Sequence, residues 1–118
     1  MGITFKGCGS YVPAQVLSNE KISQIVDTSD EWIKTRTGIS NRRIAETDEN
    51  VSEMGFKAAL SAMDMANWDS ESVDLIILAT STPGDLFGSA PMIQAKLGAK
   101  NALAFDLTAA CSGFLFAL

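Results

Sequence analysis

Two nearly continuous apolar segments, separated by one helical segment, constrain the fold of this chain more than any other feature. They are 73–80 (VDLIILAT) and 102–107 (ALAFDL), and each follows a polar stretch. Runs of this kind are typical of strands covered on both faces, as in parallel sheets. Between them, Pro91 favours a helix start and Gly98 a helix end. The alternation predicts an α/β layered fold with a largely parallel sheet.

The other segments extend this pattern. Strands are expected over 3–12, which runs into a turn at Pro13, and over 39–45. Ser18 is expected to cap a helix over 19–26, and residues 28–31 (TSDE) form a capping-box arrangement that opens a helix ended by Gly38. A longer helix is expected over 51–67, and another begins near Ala110. The chain ends within the apolar letters FLFAL, which indicates an incomplete N-terminal domain over 1–118.

Charge and residue usage exclude several classes of protein. The net charge is −5, which argues against a nucleic-acid-binding protein. Histidine is absent and the two cysteines are far apart, so neither a histidine-based zinc site nor a disulfide framework is expected. No signal peptide and no apolar run long enough for a membrane span is present, so we expect a cytoplasmic protein. Four basic residues nevertheless fall within ten positions and favour a local anion site: Lys34, Arg36, Arg42 and Arg43.

Cys111 is the first candidate for chemistry. An apolar strand leads to it through small residues, and a helix is expected to open around it. The N-terminal end of a helix favours the thiolate form of a cysteine, and small neighbours leave room for a substrate carbonyl. The placement is similar in principle to the strand-to-helix elbow of hydrolases. The alternative is a buried and inert cysteine. Cys8 has no helix terminus behind it, and we interpret it as structural.

Trp32 and Arg36 form a second candidate site. They lie four positions apart, and therefore on one helix face, with Thr28 just upstream. An indole for stacking beside a guanidinium for phosphate suits a nucleotide-bearing ligand. A packed tryptophan beside a solvated arginine remains the alternative from spacing alone.

Several stretches of the chain closely resemble β-ketoacyl-acyl-carrier-protein synthase III, the initiating condensing enzyme of fatty acid synthesis. The resemblance covers 7–118 and rests on VDTSDEWIKTRTGI, ATSTP, DLFGSAP, LGAK and AFDLTAACSGF. The DLFGSAP segment is more similar to the cyanobacterial and plastid forms of the enzyme than to the enterobacterial forms, which carry one more residue in this segment.

The resemblance implies a thiolase-like fold of two similar halves, a homodimer, and no cofactor beyond the coenzyme A thioester that is its substrate. Cys111 matches the acyl-accepting cysteine, which takes acetyl from acetyl-CoA before condensation with malonyl-acyl carrier protein. Thr28, Trp32 and Arg36 match positions that contact coenzyme A. Phe87 matches a residue that reaches across the dimer into the partner's acyl pocket. If the source is an alga or a plant, the expected location is the plastid stroma instead of the cytoplasm.

One departure from the family pattern limits what this chain can do. In the family the cysteine works with a histidine and an asparagine from the second half, and this chain has no histidine. The condensation step is therefore not expected of these 118 residues alone. Two alternatives stay open: a related synthase with a different acyl-CoA primer, and a non-catalytic coenzyme A-binding fragment.

Overall fold

The chain folds into two compact units in the computed structural model, which describes residues 2–84 and 86–118. The smaller unit is Val12–Glu49. The larger unit combines the residues up to Tyr11 with Asn50–Leu118.

In the smaller unit, a pair of antiparallel strands accompanies two short helices. The elements are β1 (Gln15–Ser18), α1 (Asn19–Ser23), α2 (Asp30–Thr37) and β2 (Asn41–Ile44). The Ser18 and Ser29 hydroxyls cap the two helices by accepting from the backbone N–H groups of Lys21 and Trp32. Gly38, at φ 71°, ends α2 in the left-handed conformation that glycine adopts without strain.

The larger unit is a two-stranded parallel sheet with helices packed on it. The elements are α3 (Val51–Ala66), β3 (Leu75–Ala79), α4 (Ala90–Leu97), β4 (Leu103–Leu107) and α5 (Gly113–Ala117). Its buried apolar side chains are those of Ala90, Ile93, Ala99 and Ala102. A Cβ atom on Gly55 of α3 would lie 2.7 Å from Cδ1 of Ile93, so glycine lets α3 and α4 approach closely. Among the described residues, no helix is both long and apolar enough to cross a lipid bilayer.

Most of the expected elements are present. The caps at Ser18 and Gly38 are confirmed, as are α3, α4, β2 and the parallel pairing of β3 with β4. The capping box expected over 28–31 is wrong by one position, because Ser29 rather than Thr28 caps α2, and its hydroxyl accepts from the Trp32 N–H. The helix expected over 19–26 is shorter, because the backbone leaves the helix after Ser23. The helix expected from Ala110 begins at Gly113, after a single 3-10 turn over Ala110–Ser112.

The strand expected over 3–12 is wrong. That segment forms no ladder with any described strand; it instead lies against α3. Cβ atoms on Gly7 and Gly9 would come within 2.4 Å of the Ala62 carbonyl oxygen and 2.2 Å of the Ala58 carbonyl oxygen. The two glycines are therefore required for close contact between this segment and the helix.

The expectation that 102–107 is covered on both faces is also wrong. Leu103 is 73% exposed and Phe105 47% exposed, so this face of β4 is incompletely covered. The alternate residues of the strand, Ala104 and Asp106, face α4 and are partly covered. A second difference is that β1 and β2 form their own antiparallel pair, apart from the parallel sheet.

Candidate active site

Cys111 lies in a tight turn directly after a strand of the parallel sheet. The turn is the 3-10 turn Ala110–Ser112, which joins the end of β4 to α5. The thiol is exposed and forms no disulfide. A nucleophile presented in this way is open to a substrate from outside the unit, unlike a buried cysteine.

The residue before Cys111 has an unusual backbone conformation. Ala110 has φ 44°, in the left-handed region that costs a residue with a Cβ atom about 1 kcal/mol or more. Strained residues of this kind cluster at functional sites, and the nucleophile elbow of hydrolases is one example. Ala110 thus places a sharp change of chain direction directly before Cys111.

The helix behind the cysteine packs closely on the neighbouring strand. Gly113, the first residue of α5, is buried. A Cβ atom on it would lie 2.9 Å from Cβ of Ala79 at the end of β3. Only glycine fits at this distance, so the start of α5 is fixed against β3.

The two strands end together beside the turn. The Thr80 N–H donates to the Leu107 carbonyl at 3.0 Å, and the Thr108 hydroxyl donates to the Thr80 carbonyl at 3.2 Å. Ligands of α/β proteins bind beyond the carboxyl ends of parallel strands. Cys111 therefore lies where such a fold places its functional groups.

Asp106 of β4 anchors the loop that carries Phe87. Its carboxylate accepts from the N–H of Ser89, at 2.8 and 3.0 Å, and from the N–H of Ala90, at 2.7 Å. The buried Ser89 hydroxyl in turn accepts from the Gly84 N–H at 3.0 Å. Phe87 lies in this loop and is 87% exposed.

Trp32 and Arg36 meet on α2 of the smaller unit. The guanidinium carbon of Arg36 lies 4.5 Å from the centre of the Trp32 ring, in a cation–π contact. Trp32 and Thr28 both line a groove of about 700 Å³ whose other residues include Ile22 and Val26. The half-exposed indole thus offers one face to Arg36 and forms part of a groove edge.

A chain of polar contacts holds both ends of α2. Asn19 is fully buried, and its amide nitrogen donates to Asp30 Oδ1 and to the Ile39 carbonyl, each at 2.8 Å. Its amide oxygen accepts from Nη1 of Arg42. Asp30 also forms an ion pair with Lys34 at 2.8 Å.

These contacts change the acidity of the charged pair. The ammonium of Lys34, and then the amide of Asn19, lower the pKa of Asp30 below its usual value. The Asp30 carboxylate in turn raises the pKa of Lys34. Both shifts favour the charged forms that lie on the first turns of α2.

The structure divides the five residues predicted for the site between the units. Cys111 and Phe87 belong to the larger unit, and Thr28, Trp32 and Arg36 to the smaller one. Their roles stay predictions. Among the described residues no group of three or more cysteine and carboxylate side chains is arranged to hold a metal ion.

Sequence reasoning missed Asn19, Asp106 and Ser89. A carboxylate inside the apolar segment ALAFDL was a usable signal for Asp106, because a charged residue in a strand facing other elements needs partners. The local sequence around Asn19 does not indicate that its side-chain amide is buried. Its partners are as much as twenty-three positions away.

Known proteins are similar to this chain over its whole length. No protein-family model matches it. It is 73% identical over 118 residues to β-ketoacyl-[acyl-carrier-protein] synthase III of Prochlorococcus marinus strain MIT 9215, and 75% identical to that of strain MIT 9301. The chain spans 35% of the length of these curated relatives.

Solved structures share the fold. The 3-oxoacyl-[acyl-carrier-protein] synthase III from Aquifex aeolicus is 51% identical, with a TM-score of 0.94 over 98% of this chain and 38% of that one. The priming β-ketosynthase of the R1128 polyketide pathway is 42% identical, with a TM-score of 0.92 over 96% of this chain and 34% of that one. The resemblance indicated by the sequence motifs, and the α/β fold class inferred with it, are confirmed.

Proposed function

We propose that this relative of the β-ketoacyl-[acyl-carrier-protein] synthases III carries the acyl-accepting cysteine of an initiating condensing enzyme. The observation that supports this most directly is the exposed Cys111 thiol, held in the strained turn between β4 and α5. The names of the relatives supply the reaction class. Because the chain spans 35% of those relatives, the whole reaction is proposed for the full-length enzyme.

In the proposed first step, the Cys111 thiolate attacks the carbonyl carbon of acetyl-CoA. A tetrahedral adduct forms and collapses, the bond to the coenzyme A sulfur breaks, and acetyl remains on Cys111 as a thioester. Small side chains at Ala109 and Ala110 leave room for this approach. Nucleophilic catalysis of this kind divides one difficult transfer into two easier ones.

In the proposed second step, malonyl-acyl carrier protein loses CO2 and its carbanion attacks the acetyl carbonyl. The Cys111 thiolate leaves, and acetoacetyl-acyl carrier protein is released. The family pattern assigns this step a histidine and an asparagine from the second half. The present sequence contains no histidine, so these groups would come from the remaining part of the enzyme.

The substrate site is proposed on α2. The Trp32 ring would stack on the adenine of coenzyme A, with Arg36 reaching its phosphates and Thr28 lining the groove. Phe87, exposed on its anchored loop, would line the acyl pocket of a second copy in a homodimer. We further propose a cytoplasmic or stromal enzyme that needs no cofactor besides the coenzyme A thioester.

Replacement of Cys111 tests the proposal. In the full-length enzyme, Cys111→Ser should lower acetyl-enzyme formation from acetyl-CoA on the order of 10³-fold or more, since the thiolate is the acyl acceptor. Intact-protein mass spectrometry after a short incubation measures the adduct. Cys8→Ser is the matched control, because Cys8 is the other exposed free cysteine, and it should retain the adduct. An undiminished adduct on Cys111→Ser would remove Cys111 from this role.

A second candidate differs only in the primer. The 42% identity to a priming β-ketosynthase of a polyketide pathway leaves room for a primer other than acetyl-CoA. The acylation rates of the full-length enzyme with acetyl-CoA and with longer acyl-CoA thioesters distinguish the two. A preference for the longer thioesters would favour this second candidate.

A further inference from the structure

Asn19 joins the two ends of the helix that carries Trp32 and Arg36. Asp30, which accepts from its amide nitrogen, lies in the first turn of α2. Ile39, whose carbonyl accepts from the same nitrogen, lies just past the glycine that ends the helix. One side chain thus fixes the helix at its beginning and just beyond its end.

The Asn19 amide uses both of its donors and one of the two lone pairs of its oxygen in these contacts. Its nitrogen makes two donations, and its oxygen accepts from Arg42 of β2. The Asn19 backbone N–H also donates to the Ser40 carbonyl, at 3.3 Å. A fully buried amide with three such contacts is held in place, since moving it would leave buried polar groups unsatisfied.

Trp32 and Arg36 have few packing contacts that would fix their position independently of the α2 backbone. Trp32 is 53% exposed, and its recorded ring partner is Arg36 on the same helix. Of the helix itself only Ile33 is buried. The position of the Trp32–Arg36 pair therefore depends largely on how the helix backbone is held.

We infer that Asn19 is a positioning residue for the coenzyme A site: it holds α2 so that Trp32 and Arg36 face the ligand together. The inference rests on the proposed function, because it takes these two residues as ligand contacts. Asn19 itself is fully buried, so it would act through the helix rather than by contact with the ligand. Affinity depends steeply on such placement, because groups held in the correct geometry bind without first being ordered.

A double-mutant cycle on the full-length enzyme tests the inference. Asn19→Ala should raise the dissociation constant for acetyl-CoA on the order of tenfold, and Arg36→Ala should raise it as well. If Asn19 acts through α2, the double variant should lose less than the product of the two single effects. Effects that multiply would overturn the inference.

Two further readouts separate positioning from general loss of structure. The rate at which iodoacetamide alkylates Cys111 should be unchanged in Asn19→Ala, and KM for acetyl-CoA should rise while kcat stays within about twofold. Asn41→Ala, which removes an exposed asparagine of β2 in the same unit, is the matched control and should leave both constants unchanged. A fall in kcat with KM unchanged would contradict the inference.

Asn19→Asp provides a variant of equal size. It keeps an acceptor for Arg42 but replaces both donations with a carboxylate facing Asp30 and the Ile39 carbonyl, so acetyl-CoA affinity should fall again. If neither variant yields folded enzyme, Asn19 is assigned to folding of the unit and the inference fails. Wild-type enzyme that does not bind acetyl-CoA would contradict the proposed function, whereas binding that Asn19→Ala leaves unaltered would contradict only this inference.

Discussion

At the scale of single residues, the candidate active site depends on backbone conformations more than on reactive groups. Ala110 adopts a left-handed conformation next to Cys111, and Gly113 approaches Ala79 so closely that no larger residue fits. The backbone at these two positions determines the location of the Cys111 thiol. Their neighbours in the turn are small, so little side-chain packing supports the arrangement.

Gly113→Ala should therefore destabilise the larger unit. The added methyl carbon would lie 2.9 Å from Cβ of Ala79, and overpacking of this kind costs about 1–3 kcal/mol of unfolding free energy. That cost exceeds the gain of up to about 1 kcal/mol that alanine brings to a helix. Urea unfolding monitored by circular dichroism measures the difference.

A second substitution serves as the control for this prediction. Ala79→Gly removes the opposing methyl group, so the double variant should recover part of the lost stability, because the clash is relieved. If Gly113→Ala alone leaves the unfolding free energy unchanged, close packing of α5 on β3 does not fix the turn.

Residue-level features were predictable only where the residue type reveals them. Gly38 and Gly98 were recognised as helix ends because glycine readily adopts positive φ. Ala110 adopts a similar conformation without any such sign. Cys111 stood out through its neighbours, whereas Asn19 did not, because its three partners converge only after folding.

At the scale of elements, α2 is stabilised by charge as well as by its caps. Asp30 lies at the N-terminal end, where the helix dipole favours a negative charge, and Lys34 lies one turn later. The ion pair is partly exposed, with side-chain exposures of 48% for Lys34 and 33% for Asp30. Its effect should be modest and sensitive to salt.

The pH dependence of this pair follows from the two pKa shifts. Because the pKa of Asp30 is lowered in the fold, its stabilisation is present above the unfolded value of about 4 and is lost as pH falls through the folded value. Because the pKa of Lys34 is raised, its stabilisation is present below about 10.4 and is lost as pH rises through the folded value.

Thermal unfolding of the wild type and of Asp30→Asn should thus differ most between these limits. The gap in melting temperature should narrow as pH falls below about 4 and through the lowered pKa of folded Asp30, because the wild type then loses the charge of this carboxylate too. Lys34→Met is the control, since it removes the same ion pair by replacing its cationic partner. A gap that stays constant down to pH 2 would show that the charge on Asp30 does not stabilise the fold.

Elements with local causes were predicted well, and those with distant causes were not. Ser29 and Gly38 mark α2 from within a few residues, and α3 follows from its own periodicity. The segment 3–12 has strand-like residues, but a strand also needs a partner, and here the backbone lies on α3 instead. For β4, the sequence did not reveal that Leu103 and Phe105 remain 73% and 47% exposed.

At the scale of the whole molecule, the larger unit exposes much apolar surface. Six large side chains on β4 and at the chain end are between 47% and 73% exposed: Leu103, Phe105, Phe114, Leu115, Phe116 and Leu118. When exposed apolar side chains such as these form a large patch, the surface is unusual on a monomer and favours association. The relatives are about three times as long as the matched region, since the chain spans 35% of them.

We expect the 118-residue chain, expressed alone, to self-associate and to bind a hydrophobic dye. Leu103→Glu combined with Phe105→Thr should reduce both effects, because polar groups replace apolar area on an uncovered face. Sedimentation velocity and dye fluorescence measure them. The control is Ile25→Ser, which removes an apolar side chain that is 75% exposed in the smaller unit. Equal association of all three proteins would show that this face is not responsible.

The carboxylate of Asp106 has a consequence for which changes of length the chain can accept. Asp106 and Cys111 are five positions apart on one continuous stretch. An insertion or deletion between them would therefore displace the thiol relative to the carboxylate that anchors the loop. The loop itself is held at Gly84, Ser89 and Ala90. A change of loop length that keeps these three contacts should therefore be tolerated better than one between Asp106 and Cys111, because it leaves the segment that carries the thiol unchanged.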